Sequence, residues 1–112
     1  MEKERYGEVI RIARIANDLS AKELAQLVGK SATIISNLEH NKSRVSFDTF
    51  KKISKALNLR PHQLMELVEK YSELKEEDRL KRYQITLCDA LTILIENKKS
   101  QDLKREEDEI SK

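Results

Sequence analysis

The sequence is short of several residue types on which many functions depend. Its 112 residues include one cysteine, one proline, two glycines and no tryptophan, and aromatic residues make up only 4%. The single cysteine, Cys88, cannot form an internal disulfide, which fits a reducing compartment. So few aromatic residues favour helices with aliphatic cores over a β-sandwich. The glycines, Gly7 and Gly29, lie far apart, which excludes a glycine-rich loop that binds phosphate.

The sequence also lacks the marks of a membrane segment or a catalytic centre. No apolar run approaches the length of a membrane span, and the charged start, Met-Glu-Lys-Glu-Arg, has no signal-peptide core. His40 and His62 have no acidic or cysteine residues at metal-ligand spacing, so we expect neither a metal site nor a cofactor. No nucleophile, base and orienting acid can be assembled. We therefore expect a cytoplasmic protein that is not an enzyme.

Charged residues are abundant, and the two signs are unevenly distributed. They make up 38% of the chain, with a net charge of +2. Residues 1–66 hold 12 Lys or Arg against 8 Asp or Glu, whereas residues 67–112 hold 10 against 12. Because the N-terminal excess is modest, affinity for a nucleic acid would have to come from placed phosphate contacts and dimer formation.

Apolar residues recur at three- and four-residue steps over the first 68 residues, which predicts five short helices. Ser20 with Glu23 predicts a capping box, and Ser31 and Ser46 predict two further helix starts. Pro61 suits the first position of a fifth helix. The expected core residues of helices two to four are Leu24, Ala25, Leu27, Val28, Ile35, Leu38, Phe47, Phe50, Ile53 and Leu57.

The segment from Val28 to Arg44, V-G-K-S-A-T-I-I-S-N-L-E-H-N-K-S-R, predicts two helices joined by a tight turn. Gly29 can end the first helix in the left-handed conformation, and Ser31 can cap the second, which would run from Ala32 to about His40. The face that this second helix leaves exposed is small and polar: Ala32, Thr33, Ser36 and Asn37. Such a face fits a DNA major groove, where Asn pairs with adenine and a Thr or Ala methyl contacts a thymine methyl.

Basic and polar residues flank the same helix and are candidates for phosphate contacts. They are Lys30, His40, Lys42, Ser43 and Arg44. The last three directly follow the helix, where the chain would leave the groove and cross the DNA backbone. The alternative is an ordinary solvated rim, because scattered surface Lys and Arg are common.

The block from Leu19 to Lys42, L-S-A-K-E-L-A-Q-L-V-G-K-S-A-T-I-I-S-N-L-E-H-N-K, resembles the phage-repressor, Cro and Xre-type helix-turn-helix domains. The shared Leu-Ser, Glu-Leu-Ala, Gly, Ser, Ile-Ser, Glu and Lys stand in register, and the resemblance extends from about Ile10 to Leu67. It implies an all-α fold, with a five-helix lambda-repressor-like DNA-binding domain over residues 1–68. It also implies a structural ion pair between Arg14 and Glu39, which could orient Arg14 toward a phosphate.

The same resemblance assigns base contacts to Ala32, Thr33 and Asn37. The sequence departs from the family pattern at four places, and the first is Asn17-Asp18 after helix one, where the family usually has a glycine. Ala21 replaces the usual glutamine, so that DNA contact is absent, and Asn41 replaces a glycine while keeping the turn. Ile34 stands where the family has a small polar residue. It could pack on helix four, contact a thymine methyl or contact a protein, and we favour packing on helix four.

The remaining residues predict a polar stretch over 69–76, either a linker or a helical extension, and a C-terminal helix over 77–98. Residues 99–112 form a charged tail that we expect to be disordered. The helix carries an apolar stripe with the spacing of a helix-packing seam, and we assign it to a dimer interface: Leu80, Tyr83, Leu87, Ala90, Leu91 and Leu94. The alternative is that the stripe folds back on its own domain. Cys88 is expected to be a small buried hydrophobe rather than a redox switch.

These observations predict a sequence-specific transcriptional regulator, a repressor of bacterial or phage type. It would bind an inverted repeat in double-stranded DNA as a homodimer, through the helix at residues 32–40. In the alternative hypothesis the protein is an antitoxin or adaptor whose C-terminal helix binds an antagonist or toxin protein, and DNA binding is secondary. Salt dependence separates the two, because DNA affinity falls steeply as salt rises.

Overall fold

A computed structural model describes residues 5–110 and the side chains of residues 5–102. Within this range every regular element is an α-helix, and the six helices follow one another in chain order. They are α1 (Tyr6–Ala16), α2 (Ala21–Val28), α3 (Ala32–Glu39), α4 (Phe47–Ala56), α5 (Pro61–Glu73) and α6 (Arg79–Ile110). In the described part of the chain, no helix is both long and apolar enough to cross a membrane.

Serine side chains begin three of the helices, as predicted. The hydroxyls of Ser20, Ser31 and Ser46 accept hydrogen bonds from the backbone amides three residues ahead, at 3.0, 3.2 and 3.2 Å respectively. Each bond satisfies an amide that has no partner inside its own helix. Ser20 and Glu23 complete the predicted capping box, because the Glu23 carboxylate accepts from the Ser20 amide at 3.0 Å.

Left-handed residues end four of the helices. Asp18, Asn41 and Asn58 have φ values of 56°, 58° and 59°, and Gly29 has 69°. Asn and Asp tolerate this conformation better than other non-glycine residues, which explains how a chain with two glycines can turn so often. The turns are therefore short, and they hold α1 to α4 close together.

One aliphatic core joins the first five helices. Its fully buried side chains come from every one of them: Val9, Ile10, Leu24, Ile35, Ile53, Leu57, Leu64 and Val68. Tyr6 packs edge-to-face on Phe50, with ring centroids 5.9 Å apart. This core fixes the orientation of α3 relative to α1 and α2.

Three predicted core residues are exposed instead: Leu27 by 61%, Ile34 by 44% and Phe47 by 71%. Successive helical residues are rotated by about 100°, so a neighbour of a buried residue can leave the core face. Ile34 precedes the buried Ile35 and does not enter the core, contrary to the favoured interpretation. Phe47 is the first residue of α4, and Phe50, one turn later, takes the core position.

The C-terminal helix folds back over α1 and α5. Ala90, Thr86 and Arg82 of α6 are buried, with exposures of 1%, 3% and 4%. Four residues that we had assigned to a dimer interface pack in this way within the chain's own domain: Tyr83, Leu87, Ala90 and Leu94. Leu80 and Leu91 remain exposed, and so does Cys88, contrary to the prediction.

Polar contacts fasten α6 to α5 along its length. Lys70 pairs with Asp89 at 2.8 Å, and the Asn97 amide donates to Gln63 Oε1 at 2.9 Å. The Arg82 guanidinium lies 4.0 Å from the centroid of the Tyr71 ring. The Tyr71 hydroxyl donates to Glu8 of α1, and burial, followed by this contact, raises the pKa of Tyr71.

The helix bounds at the C-terminal end differ from the predicted ones. α5 continues to Glu73 and a turn over residues 74–78 leads into α6. α6 extends through residue 110, so it includes residues 99–110 of the charged tail that we expected to be disordered. Lys98 and Asp102 are opposite charges four residues apart, a spacing that supports a helix. Residues 111 and 112 lie outside the described range.

Candidate nucleic-acid interface

The turn between α2 and α3 is three residues long, and each residue has a defined role. Gly29 takes the left-handed conformation, and the Lys30 amide donates to the Ala25 carbonyl at 2.9 Å, which closes the end of α2. Ser31 then caps α3. Buried side chains of both helices, Leu24 and Ile35 among them, belong to the same core. The geometry between the two helices is therefore set by packing as well as by the turn.

α3 buries one face and leaves the opposite face to solvent. Ile35, Leu38 and Glu39 are buried, whereas Ala32, Thr33 and Ser36 are exposed and Asn37 is half-buried. Within the described residues, the side chains of Thr33, Ser36 and Asn37 have no hydrogen-bond partner. The structure thus places the four predicted base-contacting residues along one open, small, polar surface.

The predicted phosphate-contacting residues lie at the two ends of α3. Lys30 is exposed in the turn before it, and Lys42, Ser43 and Arg44 are exposed in the loop after it. The Lys42 amide donates to the Asn37 carbonyl at 2.8 Å, which fixes the start of this loop against the helix. The Nδ1 atom of exposed His40, which directly follows α3, lies 2.7 Å from the Ser36 carbonyl oxygen, a hydrogen-bond acceptor.

Arg14 and Glu39 form a two-point ion pair between α1 and the end of α3. The Arg14 Nε and Nη2 atoms lie 2.7 and 2.9 Å from the two carboxylate oxygens, and Nη1 donates to the Leu19 carbonyl at 2.8 Å. The Glu39 side chain is 4% exposed and that of Arg14 is 14% exposed. All three nitrogens of Arg14 already donate within the protein, so its geometry favours a structural strut over a direct phosphate contact.

Gly7 also positions α3, a role that the sequence did not indicate. Its amide donates to the Asn41 side chain at 3.0 Å, across 34 residues of sequence. A Cβ atom at Gly7 would lie 2.2 Å from the Leu38 carbonyl oxygen and 2.7 Å from that of Glu39. Only glycine allows α1 to approach the end of α3 this closely. No local pattern signals this contact, because it depends on the tertiary fold.

The capping box at the start of α2 also affects the ionisation of Glu23. The Ser20 amide and hydroxyl hold the pKa of Glu23 below its usual value, because they stabilise the ionised carboxylate. Glu23 is fully exposed, so the shift reflects hydrogen bonding and not burial. Among the described residues, no group of three His, Cys, Asp or Glu side chains could hold a metal ion.

Two helices joined by a three-residue turn, with a small polar face on the second, define a helix-turn-helix, which places its second helix in the major groove of DNA. Residues 10–64 match the helix-turn-helix family and form a domain of that family. The protein is a DNA-binding helix-turn-helix regulator, and the domain has a lambda-repressor-like, all-helical fold. A comparison with curated proteins finds no match.

Proposed function

We propose that this protein is a repressor that recognises a specific DNA sequence through α3 and binds an inverted repeat as a two-fold dimer. The observation that carries the proposal is the open face of α3. Its polar side chains lack partners within the described residues, while its opposite face is held by the core and by the Arg14–Glu39 pair. Half-sites one helical turn apart, about 34 Å, would match two such helices.

Each residue of the interface has a defined role in this proposal. Asn37 pairs with an adenine edge, and Thr33 and Ala32 offer methyl groups to a thymine, while Ser36 donates to a base or to the backbone. Lys30, Lys42, Ser43, Arg44 and His40 contact phosphates, which fixes the register of α3 on the duplex. Arg14 contributes through Glu39, by keeping the end of α3 in place.

Selection of duplexes from a random pool tests sequence recognition directly. We expect the unmodified protein to enrich an inverted repeat, and Asn37→Ala and Thr33→Ala to lose the preference at one base pair in each half-site. Thr92→Ala is a matched control, because Thr92 is an exposed threonine on α6, away from α3. The absence of any enriched sequence at moderate salt would contradict the proposal.

Salt dependence tests the phosphate contacts. The logarithm of the DNA affinity should fall linearly with the logarithm of salt concentration, because phosphate contacts release counterions. Lys42→Gln should weaken binding to all sequences alike and lower the magnitude of this slope by about 1. Lys51→Gln serves as the control, since Lys51 is an exposed lysine on α4 outside the proposed set. Equal slopes for both variants would remove Lys42 from the interface.

The outward face of α6 is our proposed dimer contact. Leu80, Leu91 and Ile95 are 68%, 40% and 56% exposed and lie within about 60° of one another around the helix, opposite the buried Arg82 and Thr86. Exposed apolar residues that share one face of a helix are typical of a contact with another protein. A second copy of α6 would bury this face and set the spacing of two α3 helices.

Measurement of mass in solution tests the dimer contact. We expect Leu91→Glu to halve the mass and to weaken operator binding, because a charge would be placed at the centre of the face. Leu27→Glu is the matched control, since Leu27 is also an exposed leucine, on α2. If Leu91→Glu kept the dimer mass, the face would be open to a different protein, as the antitoxin or adaptor hypothesis requires.

A further inference from the structure

A cavity of about 570 Å³ lies beside the loop that follows α3. Its wall is assembled from the start of α1, the end of α3, the loop over residues 41–45, the start of α4 and Met65 of α5. Three of the chain's five aromatic rings line it: Tyr6, Phe47 and Phe50. A cavity of this volume is in the range that small molecules occupy, and aromatic walls are typical of such sites.

The aromatic residues of the cavity divide into a fixed wall and an exposed rim. Phe50 is 6% exposed and is held edge-to-face by Tyr6. Phe47, in contrast, is 71% exposed, with the Lys51 ammonium 4.9 Å from its ring centroid. Phe47 buries little surface within the described fold, so it contributes little to the core. A planar apolar group in the cavity would contact the fixed wall and cover the exposed ring.

The polar part of the cavity is positive. Exposed Lys42 and Arg44 line it, and no Asp or Glu is among its ten described lining residues. The Asn41 side-chain oxygen is already engaged by the Gly7 amide, so it does not add a free acceptor there. Charge complementarity therefore favours an anion beside the aromatic wall.

We propose that this cavity binds a small aromatic anion, with its ring against Phe47 and Phe50 and its negative group at Lys42 and Arg44. The binding itself needs nothing from DNA. A regulatory consequence rests on the proposed function: because Lys42 and Arg44 are also the proposed phosphate contacts, the bound anion and a DNA phosphate would compete for the same two cations. The ligand would then release the protein from its operator.

The test uses the full chain and two fluorescent probes that share a ring system. The first is 1-anilinonaphthalene-8-sulfonate, an aromatic anion, and the second is N-phenyl-1-naphthylamine, which lacks the sulfonate. We expect Phe47→Ala to weaken both probes about tenfold, because both lose the ring contact. Arg44→Gln should weaken only the sulfonate probe, by about threefold to tenfold.

Leu27→Ala and Lys52→Gln are the matched controls, because Leu27 and Lys52 line a separate cleft beside α2 and α4. Both should leave the affinity for either probe unchanged. Circular dichroism of each variant should show unchanged helix content, so a loss of affinity cannot be attributed to unfolding. The proposed site would be refuted if Phe47→Ala bound the probes as tightly as the unmodified protein does, or if the control variants lost probe affinity instead.

Addition of DNA separates this proposal from the proposed function. The sulfonate probe should raise the apparent Kd of the unmodified protein for a selected operator. With Phe47→Ala, about tenfold more probe should be needed for the same rise. If the probe bound without changing the DNA affinity, the proposed competition with DNA would be refuted, whereas the proposed binding site would stand. If the protein bound no operator at all, the proposed function would be refuted, but the probe measurements would still show whether the cavity binds the aromatic anion.

Discussion

Replacement of Gly7 by alanine sets two physical effects against each other. Gly7 is the second residue of α1, and alanine favours a helix by up to about 1 kcal/mol over glycine. Helix propensity alone therefore predicts that Gly7→Ala stabilises the protein. The tertiary structure predicts the opposite, because the new Cβ atom would lie 2.2 Å from the Leu38 carbonyl oxygen.

The size of the clash decides whether Gly7→Ala raises or lowers the free energy of unfolding. An ordinary contact between these atoms is more than 1 Å longer, and two of the three nearest atoms are backbone oxygens that cannot rotate away, those of Leu38 and Glu39. Overpacking of this kind costs about 1–3 kcal/mol, and displacement of α1 would also break the Gly7–Asn41 hydrogen bond, worth about 1 kcal/mol. After the gain in propensity, we expect Gly7→Ala to lower the free energy of unfolding by about 1–3 kcal/mol.

Denaturation in urea, followed by circular dichroism, measures this quantity. Gly29→Ala is the control, because a Cβ atom there would meet nothing within 4 Å and only the left-handed φ of 69° is strained. That strain should cost about 1–2 kcal/mol. A Gly7→Ala variant as stable as the unmodified protein, or more stable, would refute the close approach of α1 to α3.

Three further predictions concern the ion pair, the α5–α6 contact and the α2 cap. Glu39→Gln should lower the free energy of unfolding in urea by about 3 kcal/mol, because it leaves the Arg14 charge unpaired in a largely buried site. The double variant Arg14→Met with Glu39→Leu should recover much of this loss, and a cost of Glu39→Gln below about 0.5 kcal/mol would contradict a structural role for the ion pair. Because the pKa of Tyr71 is raised in the folded state, its contribution to stability is present below the unfolded-state pKa near 10 and is lost as pH rises through the folded-state pKa. Tyr71→Phe should abolish this alkaline loss of stability, and an unchanged dependence of stability on pH between about pH 9 and 12 would contradict the prediction. Because the pKa of Glu23 is lowered in the folded state, its contribution to stability is present above the unfolded-state pKa and is lost as pH falls through the folded-state pKa. Ser20→Ala should therefore make stability depend less on pH below about pH 5, and a pH dependence parallel to that of the unmodified protein would argue against the capping box.

The sequence was sufficient to predict the local features of the helix-turn-helix. Ser20, Ser31 and Gly29 act through hydrogen bonds and backbone angles within a few residues, so their effects are visible in short patterns. Ile35 and Leu38 were predicted correctly as buried because they lie one turn apart on the same face.

Features that depend on tertiary packing could not be predicted in the same way. The apolar residues of α6 are distributed around the helix, and periodicity cannot tell which of two apolar faces meets the domain; the structure buries the face of Ala90 and leaves Leu80 exposed. Phe47 was assigned to the core because it extends the apolar stripe of Phe50 and Ile53 at helical spacing, whereas the structure leaves this first residue of α4 exposed. The contact of Gly7 with the end of α3 joins residues more than 30 positions apart.

The central claim is that the open face of α3 recognises bases, and a thermodynamic cycle between protein and DNA tests it most directly. The affinities of the unmodified protein and Asn37→Ala are measured on the selected operator and on duplexes with one adenine–thymine pair replaced. We predict that the unmodified protein loses about 1–3 kcal/mol at one pair in each half-site, and that Asn37→Ala no longer distinguishes that pair while it still discriminates at the others. If Asn37→Ala discriminated at every pair as the unmodified protein does, Asn37 would have no role in base recognition and the assignment of this face would be wrong.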